Sequence, residues 1–203
     1  METILELKGI TKCFGSLVAN DHIDFSLEKG TVHAIIGENG AGKSTLMNII
    51  SNIYQQDSGE IWLHGERVSF KDPMDACIHG IGMVYQEFML CNAMTVLENM
   101  ALAQIKGQRY NLRRGVARGQ QEQFAAQLRE LNIGLEDKLN LNAGQLSGGQ
   151  RQAVALLMAA MGQPQLLLLD EHTAALDPRM SRLVMERTRQ LVEQELEGGN
   201  DDE

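Results

Sequence analysis

The stretch Gly37-Glu38-Asn39-Gly40-Ala41-Gly42-Lys43-Ser44 constrains this chain more than any other. It fits G-x-x-x-x-G-K-[ST] in full, and its surroundings fit too. A compact apolar run rich in β-branched residues, 32–36, reads as a buried strand before it. Residues 43–51 follow, with Leu46, Met47, Ile49 and Ile50 at helical spacing. Glycines let such a loop fold into a nest of inward-facing N–H groups, and the helix N-terminus adds the positive end of its dipole. Lys43 supplies a charge to β- and γ-phosphates, and the Ser44 hydroxyl is placed to ligate Mg²⁺. By average residue usage, a chance match in a chain of this length is on the order of 1%. The expectation is a strand–loop–helix unit that takes a nucleoside triphosphate.

Far downstream, four leucines, 166–169, read as a buried parallel strand ending in Asp170-Glu171. Beside a phosphate loop, Asp170 at the strand end can hold Mg²⁺ through a water. Glu171 can orient or deprotonate the attacking water.

Between these lies Leu146-Ser147-Gly148-Gly149-Gln150-Arg151-Gln152, followed by the apolar run 153–161, expected to be a helix buried on every side. Ser147 is a good N-cap, and two glycines expose the helix N-terminus to an anion. This order of motifs resembles the ATP-binding cassette ATPases over nearly the whole chain, roughly residues 4–196. The resemblance implies an α/β P-loop NTPase fold: a mixed sheet flanked by helices, an antiparallel β subdomain and a helical insert. It also implies that Ser147, Gly148, Gly149 and Gln150 contact the γ-phosphate of ATP held by the opposite subunit, and that Thr45 joins the phosphate loop.

Other positions match the family one at a time. Phe14 stands where the family places an aromatic that stacks on adenine, a role that needs only a π face. Gln86, after the short strand expected over 81–85, resembles the glutamine that touches Mg²⁺ and the lytic water. Residues 173–177, TAALD, resemble the loop that crosses the dimer interface. His172 stands where the family usually has proline, and a packing role is expected of it. The catalytic set implied is Glu171, Gln86 and Lys43, with Ser44, Gln86 and Asp170 at the metal and ATP and Mg²⁺ as cofactors. GENGAGKSTLMNII and YQEFML are similar to bacterial sugar and nucleoside importers. LSGGQRQAVALLMAA and LLLLDEHTAALDP are more similar to ATPases of lipoprotein-type amino-acid or unassigned importers.

Composition narrows the setting. Eighteen Lys+Arg against 27 Asp+Glu give a net charge of −9, which argues against a broad basic nucleic-acid surface or a polybasic membrane surface. Three scattered cysteines, Cys13, Cys77 and Cys91, make no disulfide framework or C-x-x-C zinc pair and fit a reducing compartment. No secretory signal or membrane span is evident. A cytoplasmic chain is expected, held to the inner membrane face through a permease. Its partners would be a second copy or paired cassette, a transmembrane permease, and a substrate-binding protein or lipoprotein. The run Lys106, Arg109, Arg113, Arg114, Arg118 is either a solvated face or a contact near lipid headgroups.

One domain is expected. Residues 1–86 and 145–196 form its core, 87–144 a helical insert with helices near 95–103 and 120–131, and 197–203 an acidic tail. The family's switch histidine, on a strand beyond the final helix, has no counterpart after His172. That keeps a second function open: a truncated, slowly or non-hydrolysing ATP-binding module with a regulatory role. Mechanical cassettes of the DNA-repair type carry long coiled coils between the two motifs, and no heptad run appears here. Translation-associated cassettes usually carry two cassettes, and this chain has one.

Overall fold

The computed structural model describes residues 2–85, 89–104, 118–130 and 134–170. They divide into two compact units, one ending at His79 and one beginning at Gly80.

The first unit is built on a four-stranded antiparallel sheet, in the order β2-β1-β3-β4. Strands β1 (Thr3–Phe14) and β2 (Leu17–Glu28) form a long hairpin, and β3 (Ser58–Leu63) and β4 (Glu66–Val68) extend it. On β2, half-buried Ile23, Phe25 and Leu27 alternate with exposed Asp24 and Ser26, the period of a half-buried strand. Gly59 must be glycine: its φ is +98°, and a Cβ there would lie 2.5 Å from the Gly9 carbonyl oxygen. Helix α1 (Lys43–Ile50) buries Leu46, Ile49 and Ile50. Helix α2 (Pro73–Ile78) has proline in its first turn and is capped by Asp72, whose side chain accepts the Asp75 N–H at 2.8 Å.

One expectation fails here. Residues 31–38 form no strand, and Val32 and Ile36 are exposed, Ile36 by 93%. Neither sheet of the described residues contains this run. β-branched composition marks a fit to a packed, pleated surface, and by itself it supplies no neighbouring ladder.

The second unit pairs β5 (Ile81–Val84) in parallel with β6 (Leu166–Leu169). Its helices are α3 (Val96–Ala103), α4 (Arg118–Glu130) and α5 (Gly148–Met161), joined by two 3-10 turns, Glu136–Lys138 and Ala143–Gln145. Thr95 caps α3 reciprocally with Glu98. The core is Val96, Met100, Phe124, Leu128, Leu135, Leu139, Leu146, Ala153 and Val154. Buried Asn99 fastens the loop before α3: its Oδ1 accepts the Cys91 N–H at 2.8 Å and its Nδ2 donates to the Cys91 carbonyl at 3.1 Å. Helix α5 departs in part from the sequence reading. Gln152, Ala153, Val154 and Leu156 are buried, but 157–161 are only half-buried. An all-apolar helix leaves its orientation unspecified, and packing covers only one side completely.

Candidate functional site

The phosphate-type loop sits at the start of α1. Gly42 is the N-cap, with φ 82° and ψ 7°, and no side chain caps the helix. The first N–H groups of α1 therefore lack the intrahelical partners that later turns have. No acidic residue stands in that first turn to compete for an anion. Glycine is demanded at Gly42 twice over. Its φ is left-handed, and a Cβ would lie 2.2 Å from the Ala19 carbonyl oxygen on β2. Gly40, with φ 86°, needs glycine for backbone conformation alone, since a Cβ there would meet nothing within 4 Å.

Lys43 lies back across the loop. Its Nζ donates to the carbonyl oxygens of Gly37 at 2.8 Å and Glu38 at 2.9 Å. The Ala41 N–H closes a turn onto the Glu38 carbonyl at 3.1 Å. Residues 36–41 are exposed and Lys43 is half-buried, so solvent reaches the loop. Ser44 and Thr45 follow in the first turn, half-buried. Backbone donors, a helix N-terminus and one ammonium together fit a polyphosphate.

Phe14 ends β1 and is 43% exposed, so core packing does not account for its ring. Tyr54 stands beside it, ring centroids 5.4 Å apart and planes at 76°, and Lys12 Nζ lies 5.5 Å from the Phe14 ring centre. Sequence reasoning missed Tyr54, which lies in the turn after α1. The signal that could have found it is its place just ahead of Asp57-Ser58-Gly59, the turn whose acid reaches back to β1. Asp57 accepts from Lys12 Nζ at 2.9 Å and from the Cys13 N–H at 2.6 Å. The Cys13 N–H, and then the Lys12 ammonium, hold its carboxyl below the ordinary range.

In the second unit, Ser147 caps α5 reciprocally. The Gln150 N–H donates to Ser147 Oγ at 3.3 Å, and the Ser147 N–H donates to Gln150 Oε1 at 3.2 Å. Ser147 is exposed and Gly148, Gly149 and Gln150 are half-buried, so the four predicted residues form one capped helix start. Asp170 follows β6. It is 7% exposed, and its N–H donates to the Val84 carbonyl at 3.0 Å. No group of three or more His, Cys, Asp or Glu side chains among the described residues could hold a metal ion. Gln86, Glu171, His172, residues 173–177, the basic run 106–114 and the acidic tail lie outside the described residues, and so does the Arg118 side chain.

Residues 20–174 match the family described as ABC transporter. The chain is 39% identical over 194 residues to the guanosine import ATP-binding protein NupO of Bacillus subtilis (strain 168), covering 96% of this chain and 37% of that protein. It is 39% identical over 194 residues to the ribose import ATP-binding protein RbsA 1 of Rubrobacter xylanophilus, covering 96% and 38%. It thus spans well under half the length of these relatives. Among solved structures it is similar to the dimeric bacterial ABC transporter cassette MJ0796, with TM-score 0.82, 28% identity and coverage of 95% and 84%. It is also similar to the ADP conformation of MJ1267, an ATP-binding cassette of an ABC transporter, with TM-score 0.81, 29% identity and coverage of 96% and 78%.

Proposed function

This chain belongs to the ABC transporter family, and on that premise we propose that it binds MgATP and hydrolyses it at an interface between two cassettes. The observation that carries this reading is the placement of Lys43: one cation lies over the carbonyls of Gly37 and Glu38 at the mouth of an uncapped helix. A triphosphate offers that ammonium stronger, charge-assisted acceptors than the two neutral carbonyls.

In this reading Phe14 stacks the base. Gly37, Glu38, Asn39, Gly40, Ala41 and Gly42 line the phosphate cradle with their backbone. Lys43, Ser44 and Thr45 follow at the start of the helix. Ser44, Gln86 and Asp170 would hold magnesium, which would neutralise phosphate charge when bound. Glu171 would act on water. Ser147, Gly148, Gly149 and Gln150 would close the site of the opposite cassette, which makes a lone chain a poor hydrolase. Residues 1–86 and 145–196 serve as the catalytic core and 87–144 as the helical insert. The wider assembly is a pair of cassettes on a transmembrane permease, with a substrate-binding protein or lipoprotein outside. The relatives named for guanosine and ribose import support a cargo of the nucleoside or sugar class. Among the described residues no helix is long and apolar enough to cross a membrane, so attachment would run through the permease.

The test is a titration of the purified chain with a fluorescent ATP analogue and magnesium, alongside phosphate release as a function of protein concentration. Saturable binding, with turnover that rises faster than linearly with protein, is expected. No binding would remove the proposal, and turnover strictly proportional to concentration would remove the shared interface.

A further inference from the structure

We propose that Asn20, near the start of β2, is a positioning residue for the phosphate loop, a role that rests on the nucleotide reading of that loop. Asn20 is 5% exposed. Its Nδ2 donates to the carbonyl oxygen of Gly42 at 3.2 Å, and the Leu46 N–H donates to the same oxygen at 2.9 Å. Because that atom is a carbonyl, the amide must turn its nitrogen toward it.

The consequence follows from peptide geometry. The Gly42–Lys43 peptide is planar and trans, so its N–H points opposite to its C=O. Two donors fix the carbonyl toward β2 and α1. They therefore fix the Lys43 N–H on the other side, at the first free donor of the helix and next to the lysine itself. The same contact packs Gly42 against Ala19, whose carbonyl leaves no room for a Cβ. A strand residue 22 positions earlier in the chain thereby sets the tilt of a peptide in the loop.

The other end of the amide argues that this is not mere filling. Asn20 Oδ1 is buried and has no hydrogen-bond partner among the described residues. An unsatisfied buried acceptor is a cost that an apolar side chain of the same size would not carry. The compensating bond is the one from Nδ2 to Gly42. If Asn20 served packing alone, leucine would serve it better.

The experiment compares the full chain with its Asn20→Leu and Asn20→Ser variants. Leucine keeps the branched skeleton and removes the orphan acceptor; the serine hydroxyl is too short to span to Gly42. The thermal midpoint should hold or rise in the first and fall in the second. Affinity for inorganic tripolyphosphate, read by displacement of a fluorescent ATP analogue, should weaken in both, by about three- to tenfold, the worth of one hydrogen bond. Affinity for adenosine should not change in either. The Lys43 backbone amide resonance should move less on addition of MgATP in both variants. A role in folding alone would make affinity follow the midpoint and leave that resonance as in the unaltered chain. Unaltered tripolyphosphate affinity in either folded variant overturns the role of Asn20 while leaving the nucleotide reading intact. An unaltered chain that does not take the ATP analogue overturns both.

Discussion

The carboxylate of Asp57 holds the backbone of Cys13, the residue directly before Phe14: the Cys13 N–H donates to Asp57 Oδ2 at 2.6 Å. The other carboxylate oxygen accepts from Lys12 Nζ at 2.9 Å, and the Asp57 N–H donates back to the Thr11 carbonyl at 2.9 Å. Three bonds from one residue thus fix the last turn of β1 and the setting of its exposed ring. Asp57→Ala should weaken binding of a fluorescent ATP analogue by about threefold, the order of a lost hydrogen bond. Displacement by inorganic tripolyphosphate should be unaffected, because the phosphate loop is not touched. Equal weakening of both would show that the substitution acts by unfolding the sheet.

The same residue sets a pH expectation. Its carboxyl is held below the ordinary value of 3.8, chiefly by the Cys13 N–H and then by Lys12. A lowered pKa means that the bonds are fully present above that ordinary value and are given up as pH falls through the lowered one. Nucleobase binding should therefore not decline through Asp57 between pH 7 and pH 5. Titration by the fluorescent analogue across that window, in the unaltered chain and in Asp57→Ala, should give a constant ratio of affinities. A ratio that collapses toward one within the window would place the group's titration higher than this geometry allows.

Lys43 gives the sharpest test of the cradle. Lys43→Ala removes the ammonium now shared by Gly37 and Glu38 and should lower MgATP affinity at least tenfold, given the strength of hydrogen bonds to charged groups. The fold should persist, since Lys43 is half-buried at the start of α1 and its ammonium bonds the carbonyls of the exposed loop, away from the core that Ile49 joins at 0% exposure. Isothermal titration with MgATP and a thermal melt separate the two effects. Retained affinity would mean that the polyphosphate is held elsewhere.

What was legible in the sequence divides along physical lines. Local chemistry could be read: Lys43–Ile50, Val96–Ala103 and Gly148–Met161 are helices where spacing places them, and Ser147 is the N-cap expected of it, with the answering bond from Gln150 added by the structure. Those features depend on residues within one turn of each other. The run 32–36 was misread because a strand is defined by its neighbours, which composition does not name. Tyr54 beside Phe14, Asp57 beneath Cys13 and Asn20 against Gly42 were not legible either. Each joins segments far apart in the chain, brought together by the register of a hairpin and the packing of α1.

Gly42→Ala should break the loop where Gly40→Ala would only strain it. Both positions hold a left-handed φ, but only at Gly42 would the new methyl meet backbone, 2.2 Å from the Ala19 carbonyl oxygen. Strain alone costs about 1–2 kcal/mol. The clash adds to it by pushing α1 off β2, so Gly42→Ala should melt lower than Gly40→Ala and lose MgATP binding more completely. Equal melting of the two variants would show that the contact between Gly42 and β2 is not rigid.

Ser147 separates a capping role from a role in binding. Ser147→Ala removes the acceptor for the Gln150 N–H and should cost about 1 kcal/mol of stability. Ser147→Asp keeps a good cap and adds a negative charge favourable to the helix dipole, so its melt should match or exceed that of the unaltered chain. The same charge would stand against the γ-phosphate presented by an opposing cassette. ATP-dependent dimerisation, followed by light scattering with a slowly hydrolysed analogue, should therefore vanish in Ser147→Asp while MgATP binding by the separate chain is unchanged. A stable Ser147→Asp chain that still dimerises on nucleotide would restrict Ser147 to capping and remove the helix start of α5 from the shared site.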